Sequence, residues 1–312
     1  MTALICGSVA YDTIMVFPGR FSEHILADKI HMLNVAFLVP RMRREFGGCA
    51  GNIAYNLKQL GGDCYPMATV GKDFSSYADW MKSCGVDRRY IRRFDDEYTA
   101  QAYITTDLDD NQITAFHPGA MNRSELNHVP TDAGIRIGLI SPDGRDGMLA
   151  HAEEFADARI PFMFDPGQGL PMFDGPELRR FIELATWVTV NDYEGELLSQ
   201  RTGLAPAQIS ERVEALLITR GHKGSVVYLQ GNRHDIPVAP IAEALDPTGC
   251  GDAYRAGLLF GLMNECDWET TGRIASLMGA IKIESHGTQN HKFTFEAFRE
   301  RYRESFAREL HI

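Results

Sequence analysis

The stretch "DPTGCGDAYRAG", residues 246–257, sets three small residues and an aspartate where an apolar run begins at helical spacing. The backbone N–H groups at a helix amino terminus have no intrahelical partners and carry the positive end of the helix dipole. Small residues let an anion approach that backbone, so Gly249, Cys250 and Gly251 form a candidate anion hole with Asp252 beside it. A carboxylate next to an anion is unfavourable unless it removes a proton from a group attacking that anion. A base on an acceptor hydroxyl, with N–H donors around phosphoryl oxygens, is the arrangement of phosphoryl transfer. The same residues also suit a tight turn in which Asp252 merely complements the dipole, and this stretch alone leaves both readings open. No GxxxxGK[ST] is present, and Tyr254 stands where a dinucleotide fingerprint needs its third glycine.

Upstream, short apolar runs alternate with amphipathic helical stretches. Strands are expected at Ala3–Cys6, Cys64–Val70, Ile137–Ser141, Phe162–Asp165, Trp187–Val190 and Ala215–Thr219. Helices are expected at Ala50–Leu60, Tyr77–Ser83, Ala150–Asp157, Glu177–Leu184, Gly195–Gln200, Ile209–Val213, Ala253–Asn264, Thr270–Ser285 and Phe295–Arg308. Such alternation implies βαβ units, a largely parallel sheet with helices on both faces, and ligands at the carboxyl ends of its strands. Residues 13–45 and 98–117 break the rhythm with β-type patterns and no crossover helix. The second, "YTAQAYITTDLDDNQITAF", reads as a hairpin turning at Asp109–Asn111. Together they form a small separate sheet, either a lid over the main one or an edge extension or dimer patch. No repeat or linker divides the chain, so residues 1–312 are read as one domain carrying that lid.

The chain has 312 residues, 44% hydrophobic, enough for a sizeable core. Its 42 acidic against 31 basic residues give a formal net charge of −11, which argues against nucleic acid or an anionic membrane as partner. The basic cluster Arg41, Arg43 and Arg44 reads as solvated surface. Six cysteines lie scattered without CxxC or metal-ligand spacing, which suits reduced thiols and a cytoplasmic protein. The amino terminus, "MTALICGSVAYD", reads as a first strand and not as a signal peptide, and no apolar run is long enough to span a membrane.

A second stretch, "FGGCAGNIAYNLKQLGG" at 46–62, places Gly47 and Gly48 before an amphipathic helix with Asn52 in its first turn. The glycines admit a ligand against the backbone, and Asn52 offers a donor and an acceptor to a hydroxyl. The two stretches together resemble the PfkB/ribokinase family of carbohydrate and nucleoside kinases. Its GG-xxx-N motif is matched by Gly47 to Asn52, and its D-x-x-G-x-G-D motif by Asp246 to Asp252. Cys250 departs from the usual alanine, a change that leaves the backbone N–H in place. The resemblance spans the chain and implies a three-layer αβα sandwich, mostly parallel, with a small β-sheet lid.

The resemblance further implies that Asp252 is the base and that Gly249, Cys250 and Gly251 stabilise the transferring phosphoryl group. Asp12, in "GSVAYDTI", matches the family's acceptor-binding aspartate; with Gly47, Gly48 and Asn52 it would hold ribose hydroxyls. Asn191 and Glu194 match N-x-x-E, Glu194 holding Mg²⁺ through water and Asn191 lying on the ATP side. Glu194 also reads as an ordinary first-turn helix residue. In "ITRGHKGS", Thr219, Gly221 and Gly224 are carried over as lining ATP. "ESHGTQNH" resembles the family's adenine-flanking loop, its His286 and His291 reading as structural. A monovalent cation, K⁺, near Asp246 is implied by the resemblance alone.

The expected reaction is therefore ATP-dependent phosphorylation of a primary hydroxyl. Phe17, Phe21, Met32, Phe37 and Phe116 make the lid segments bulky and apolar, which suits a purine better than a bare sugar and puts the chain nearest the adenosine and nucleoside kinase branch. Phe116 is the candidate stacking face. The same side chains also suit a core internal to the lid. The alternatives are a free-sugar kinase and a catalytically silent ligand sensor; an intact Asp252 speaks against the sensor. A monomer and a homodimer both remain open.

Overall fold

The computed structural model describes residues 1–25, 34–109, 111–131 and 133–312. In chain order the strands are β1 (Thr2–Cys6), β2 (Ala10–Val16), β3 (Arg41–Gly47), β4 (Asp63–Gly71), β5 (Tyr90–Phe94), β6 (Ala100–Thr106), β7 (Gln112–His117), β8 (Ile135–Ile140), β9 (Phe162–Phe164), β10 (Trp187–Asn191), β11 (Ala215–Thr219), β12 (Ser225–Leu229) and β13 (Asn232–Ile236). The helices are α1 (Phe21–His24), α2 (Cys49–Gln59), α3 (Ser75–Ser83), α4 (Arg145–Asp157), α5 (Gly175–Leu184), α6 (Asp192–Thr202), α7 (Pro206–Ser210), α8 (Cys250–Met263), α9 (Trp268–Ile283) and α10 (Phe295–Phe306).

Nine strands form the large sheet in the order β13-β12-β11-β10-β9-β8-β1-β4-β5. All pair in parallel from β5 to β11, and β12 and β13 add an antiparallel edge. Alternate β1 side chains serve opposite faces, as strand periodicity requires. Ala3 and Ile5 join a core with α2, α3, α8, α9 and α10, while Leu4 and Cys6 join one with α4, α5 and α6. Helices on both faces thus bury a sheet of near-continuous apolar runs, giving the expected three layers. From β1 the chain first builds outward through β4 and β5, then returns to β8 on the other side. That reversal opens a crevice at the carboxyl ends of the strands.

The expected elements are present with shifted ends, and one needs correction. The helix placed at Ile209–Val213 runs instead over Pro206–Ser210, because Pro206 favours the first helical turn and the segment beyond Ser210 leads into β11. The sequence reading also passed over β5 and β13, short strands with exposed polar residues, and the short apolar β12 on the antiparallel edge.

The two irregular segments meet in a second sheet, ordered β3-β2-β6-β7. β6 and β7 form the expected antiparallel hairpin; Asp110 of its turn lies outside the described residues. Asp107 closes the turn by accepting the backbone N–H groups of Asp109 and Asn111, each at 2.9 Å, and it also accepts that of Phe21 at 2.9 Å. Phe17, Phe21 and Phe37 pack on one another, with ring centroids 4.8 to 6.0 Å apart. These rings form a cluster of their own. Met32 lies outside the described residues. Arg41, Arg43 and Arg44 are exposed on β3, as expected of solvated surface.

Candidate active site

Gly249 stands at the start of α8 with φ +79°, a left-handed conformation that glycine adopts without strain. Having no side chain, it cannot cap the helix. Ala253 N–H reaches the Gly249 carbonyl at 3.0 Å, and Cys250 N–H donates to the Pro247 carbonyl at 3.1 Å. Among the described residues, the N–H groups of Gly249, Gly251 and Asp252 have no acceptor. The helix start is therefore an open donor cluster, the form an anion site takes.

Asp252 sits in that first turn. Its Oδ2 accepts from Asn52 Nδ2 at 2.8 Å, bringing α2 and α8, and with them the two glycine-rich stretches, to one point. Burial raises the Asp252 carboxyl to about 6; the Asn52 bond pulls it down, Asp165 pushes it up and Arg255 pulls it down. A carboxylate tuned toward neutral pH is suited to accept a proton. Asn52 is itself held: its Oδ1 accepts from Gln289 Nε2 at 2.9 Å, and Gln289 Oε1 accepts from Trp80 Nε1 at 2.8 Å. Gln289 also donates to the Tyr77 hydroxyl at 2.6 Å, which donates to the Gly47 carbonyl at 2.8 Å. The chain from Trp80 to Asp252 fixes which end of the Asn52 amide faces the Asp252 carboxylate.

Gly48 starts α2 with φ +85°, and a Cβ there would lie 2.6 Å from Ala10 N and Ser8 O, so only glycine fits. A Cβ on Gly47 would collide with the Asp12 carboxylate, which places Asp12 directly against the glycine pair. Burial raises Asp12 to about 6, with Glu45 adding to the rise. Strand register aligns Glu45, Asp12, Ala102 and Phe116 in one row across β3, β2, β6 and β7. Paired residues present their side chains to the same face, so the small Ala102 leaves a gap between Asp12 and Phe116. Phe116 is 50% exposed.

On the other side, Asn191 and Thr219 are register partners at the carboxyl ends of β10 and β11. Asn191 and Glu194 form a capping box: Asn191 Oδ1 accepts from Glu194 N at 2.7 Å, and Glu194 Oε2 accepts from Asn191 N at 2.8 Å. The motif thus has a structural duty, which the sequence reading had offered as an alternative. Burial raises the Glu194 carboxyl, with the bond from Asn191 N opposing. Gly221 turns between β11 and β12 with open space around it, whereas Gly224 packs against the Ile236 carbonyl.

Two residues absent from the sequence reading tie these halves together. Arg255, one helical turn beyond Asp252, makes a two-pronged ion pair with Asp165 at 3.0 and 2.9 Å, both side chains being buried. Its guanidinium lies 3.9 Å from Glu194 and reaches the Gly251 carbonyl at 3.5 Å. A polar residue three positions after Asp252, on a helix otherwise apolar there, was the available signal. The segment expected to flank adenine is tied to β3 of the small sheet: Thr288 Oγ1 donates to the Phe46 carbonyl at 2.6 Å, and Asn290 donates to Glu45 at 3.2 Å. His291 is buried, its Nε2 2.7 Å from Asn56 Oδ1, a structural position.

Among the described residues, no cluster of three His, Cys, Asp or Glu side chains is placed to hold a metal ion. The lone, largely buried Glu194 carboxylate fits an ion carried mainly by phosphate oxygens and waters, as Mg²⁺ commonly is. No helix among these residues is long and apolar enough to cross a membrane.

Residues 8–294 match the family model described as pfkB family carbohydrate kinase. The nucleoside kinase of Burkholderia thailandensis, solved in complex with inosine, is 52% identical with a TM-score of 0.90, covering 98% of this chain and 99% of that one. The same protein in complex with ADP-inosine gives 53% identity and a TM-score of 0.87, over 98% and 97% of the two chains. The nucleoside kinase of Methanocaldococcus jannaschii is 33% identical over 271 residues, covering 86% of this chain and 89% of its own length.

Proposed function

The chain belongs to the pfkB family of carbohydrate kinases, and from that premise we propose that it transfers a phosphoryl group from ATP to the 5′-hydroxyl of a nucleoside such as adenosine or inosine. The observation that carries the reading is the open first turn of α8, with acceptor-free amides beside a buried carboxylate raised to about 6. Asp252 takes the proton of the 5′-hydroxyl as that oxygen bonds to the γ-phosphorus and the bond to the β–γ bridging oxygen breaks, releasing ADP. The amides of Gly249 and Gly251, with a lesser share from Cys250, receive the charge that develops on the phosphoryl oxygens. Asp12 and Asn52 hold the ribose hydroxyls against Gly47 and Gly48. Asn191, Thr219, Gly221 and Gly224 line the ATP side, with Glu194 as the water-bridged partner of Mg²⁺. When bound, Mg²⁺ neutralises part of the phosphate charge.

The row Asp12–Ala102–Phe116 favours a nucleoside over a free sugar. A ribose held at Asp12 projects its base over Ala102 toward the Phe116 ring. The small sheet of β2, β3, β6 and β7 is the lid that excludes water from the reacting phosphate. The protein works in the cytoplasm, where its six free thiols stay reduced. The deciding experiment is an acceptor panel with ATP and Mg²⁺. Adenosine, inosine or a related nucleoside is expected to give a higher kcat/KM than ribose or fructose. A free sugar that outperforms every nucleoside refutes the assignment, and turnover of no acceptor at all refutes the kinase reading in favour of a silent sensor.

A further inference from the structure

Lys282, in the last turn of α9, is a buried cation that none of these steps uses. Its side chain is 0% exposed. Its Nζ donates to two backbone carbonyls, Asp246 at 2.9 Å and Ser285 at 3.0 Å. A buried ammonium is costly unless strongly partnered, and burial indeed lowers the Lys282 pKa, with Cys250 and Asp246 opposing. Those two carbonyls belong to the two segments that shape the anion turn. Asp246 opens it: its carboxylate accepts Thr248 N–H and Gly287 N–H, each at 2.9 Å. The Cys250 thiol reaches the same Asp246 carbonyl at 3.9 Å, so the ammonium and the anion-hole residue meet on one oxygen.

The monovalent cation expected near Asp246 does not fit this arrangement. The Asp246 and Ser285 carbonyl oxygens are already taken by a positive charge, and a second cation sharing them would be repelled. We propose that Lys282 is a built-in cation for the phosphoryl-transfer turn, standing in the place of a dissociable monovalent ion. It is a positioning residue: it holds the Asp246 and Ser285 carbonyls together and adds fixed positive potential behind the amides of Gly249 to Gly251. A tethered ammonium needs no ion from solution, so the enzyme should be indifferent to K⁺.

The inference takes its activity assay from the proposed function but has a readout independent of it. Kinetics and thermal melting are measured for the wild type and for Lys282→Met, with KCl or with choline chloride at equal ionic strength. The wild type is expected to show the same kcat and the same Tm in both salts. In choline, Lys282→Met should lose roughly 10- to 100-fold in kcat with little change in nucleoside KM, less than the loss for removing a direct oxyanion donor. KCl should restore much of that loss and raise the variant's Tm, because an ion that binds the vacated carbonyls stabilises the folded state. Several-fold activation of the wild type by K⁺ overturns the proposal, as does full activity of Lys282→Met in choline. A folded variant that KCl neither reactivates nor stabilises also overturns it, Lys282 then being only a loop fastener. If Lys282→Met does not fold, the wild-type comparison alone decides. If no acceptor is turned over, the kinase reading fails and the melting data still decide the fate of Lys282.

Discussion

Substituting Asn52 by Ala should move the acid limb of the pH–rate profile upward. The Asn52 amide donates to Asp252 Oδ2 at 2.8 Å inside a buried site, where burial raises the carboxyl to about 6. The bond favours the charged carboxylate, so its loss favours the protonated form, and the pKa rises. A hydrogen bond to a charged group contributes about 1.5–3 kcal/mol, and about 1.36 kcal/mol corresponds to a tenfold change in proton affinity. The limb should therefore shift from near pH 6 to between about 7 and 8. Protonated Asp252 cannot act as base, so the variant should lose far more activity at pH 6 than at pH 9. The profile of kcat/KM is the quantity to measure, since it reports the free enzyme. Asn52 also holds the acceptor in the proposed site, and that loss lowers kcat/KM equally at every pH. A profile that drops uniformly, with its acid limb still near 6, refutes the reasoning that Asn52 tunes the base.

Replacing Asp252 by Asn should leave the fold and ATP affinity intact while turnover falls by roughly 10²–10⁴; turnover within a few-fold of wild type removes Asp252 from the mechanism. Hydrogen exchange in residues 13–45 and 98–117 should slow on addition of nucleoside, more than in the central strands. Unchanged protection at saturating nucleoside sinks the lid. Phe116→Ala should weaken nucleosides by roughly 5- to 150-fold, the equivalent of about 1–3 kcal/mol of base stacking, and spare any ribose activity. Equal losses on both acceptors would show that Phe116 does not stack on the base.

The parallel sheet was legible because its strands are continuous apolar runs and its helices are amphipathic, so period and length identify both. The strands that escaped have no such pattern: β5 and β13 are polar on at least one face, and β12 and β13 form an antiparallel edge beyond the alternating units. Asp252, Asn52, Asp12 and the glycines were legible because glycines at a helix start mark the local backbone. Gln289, Trp80, Arg255 and Lys282 were not, since each acts through partners distant in sequence. The Asn52–Gln289 bond spans 237 positions and the Arg255–Asp165 pair spans 90. Apart from Arg255, set on an otherwise apolar helix face, nothing local distinguishes such a residue from an ordinary polar one. The aromatic content of residues 13–45 misled in the opposite direction: a segment with little other core satisfies its own Phe17, Phe21 and Phe37 by packing them together.

The two glycine-rich helix starts look alike in sequence and do different work, and hydrogen-bond supply separates them. At α2, Ser8 supplies the acceptors: its Oγ takes Cys49 N–H at 3.1 Å and its carbonyl takes Ala50 N–H at 2.9 Å. That helix start is closed, and Gly47 and Gly48 serve the approach of Asp12 and of the Ser8–Ala10 backbone. Helices α5, α6, α9 and α10 are closed as well, by Asp174, Asn191, Asp267 and Thr294. At α8 the residue in the capping position is glycine, in a conformation that disfavours the usual capping residues, and no other side chain among those described reaches in. With glycine in the capping position, the missing side-chain cap costs roughly a few tenths of a kcal/mol. Helices α3 and α4 also start without a side-chain cap, so an open start alone marks nothing. At α8 the open amides lie beside a buried carboxylate raised to about 6, and that conjunction is where an anionic ligand offsets the cost.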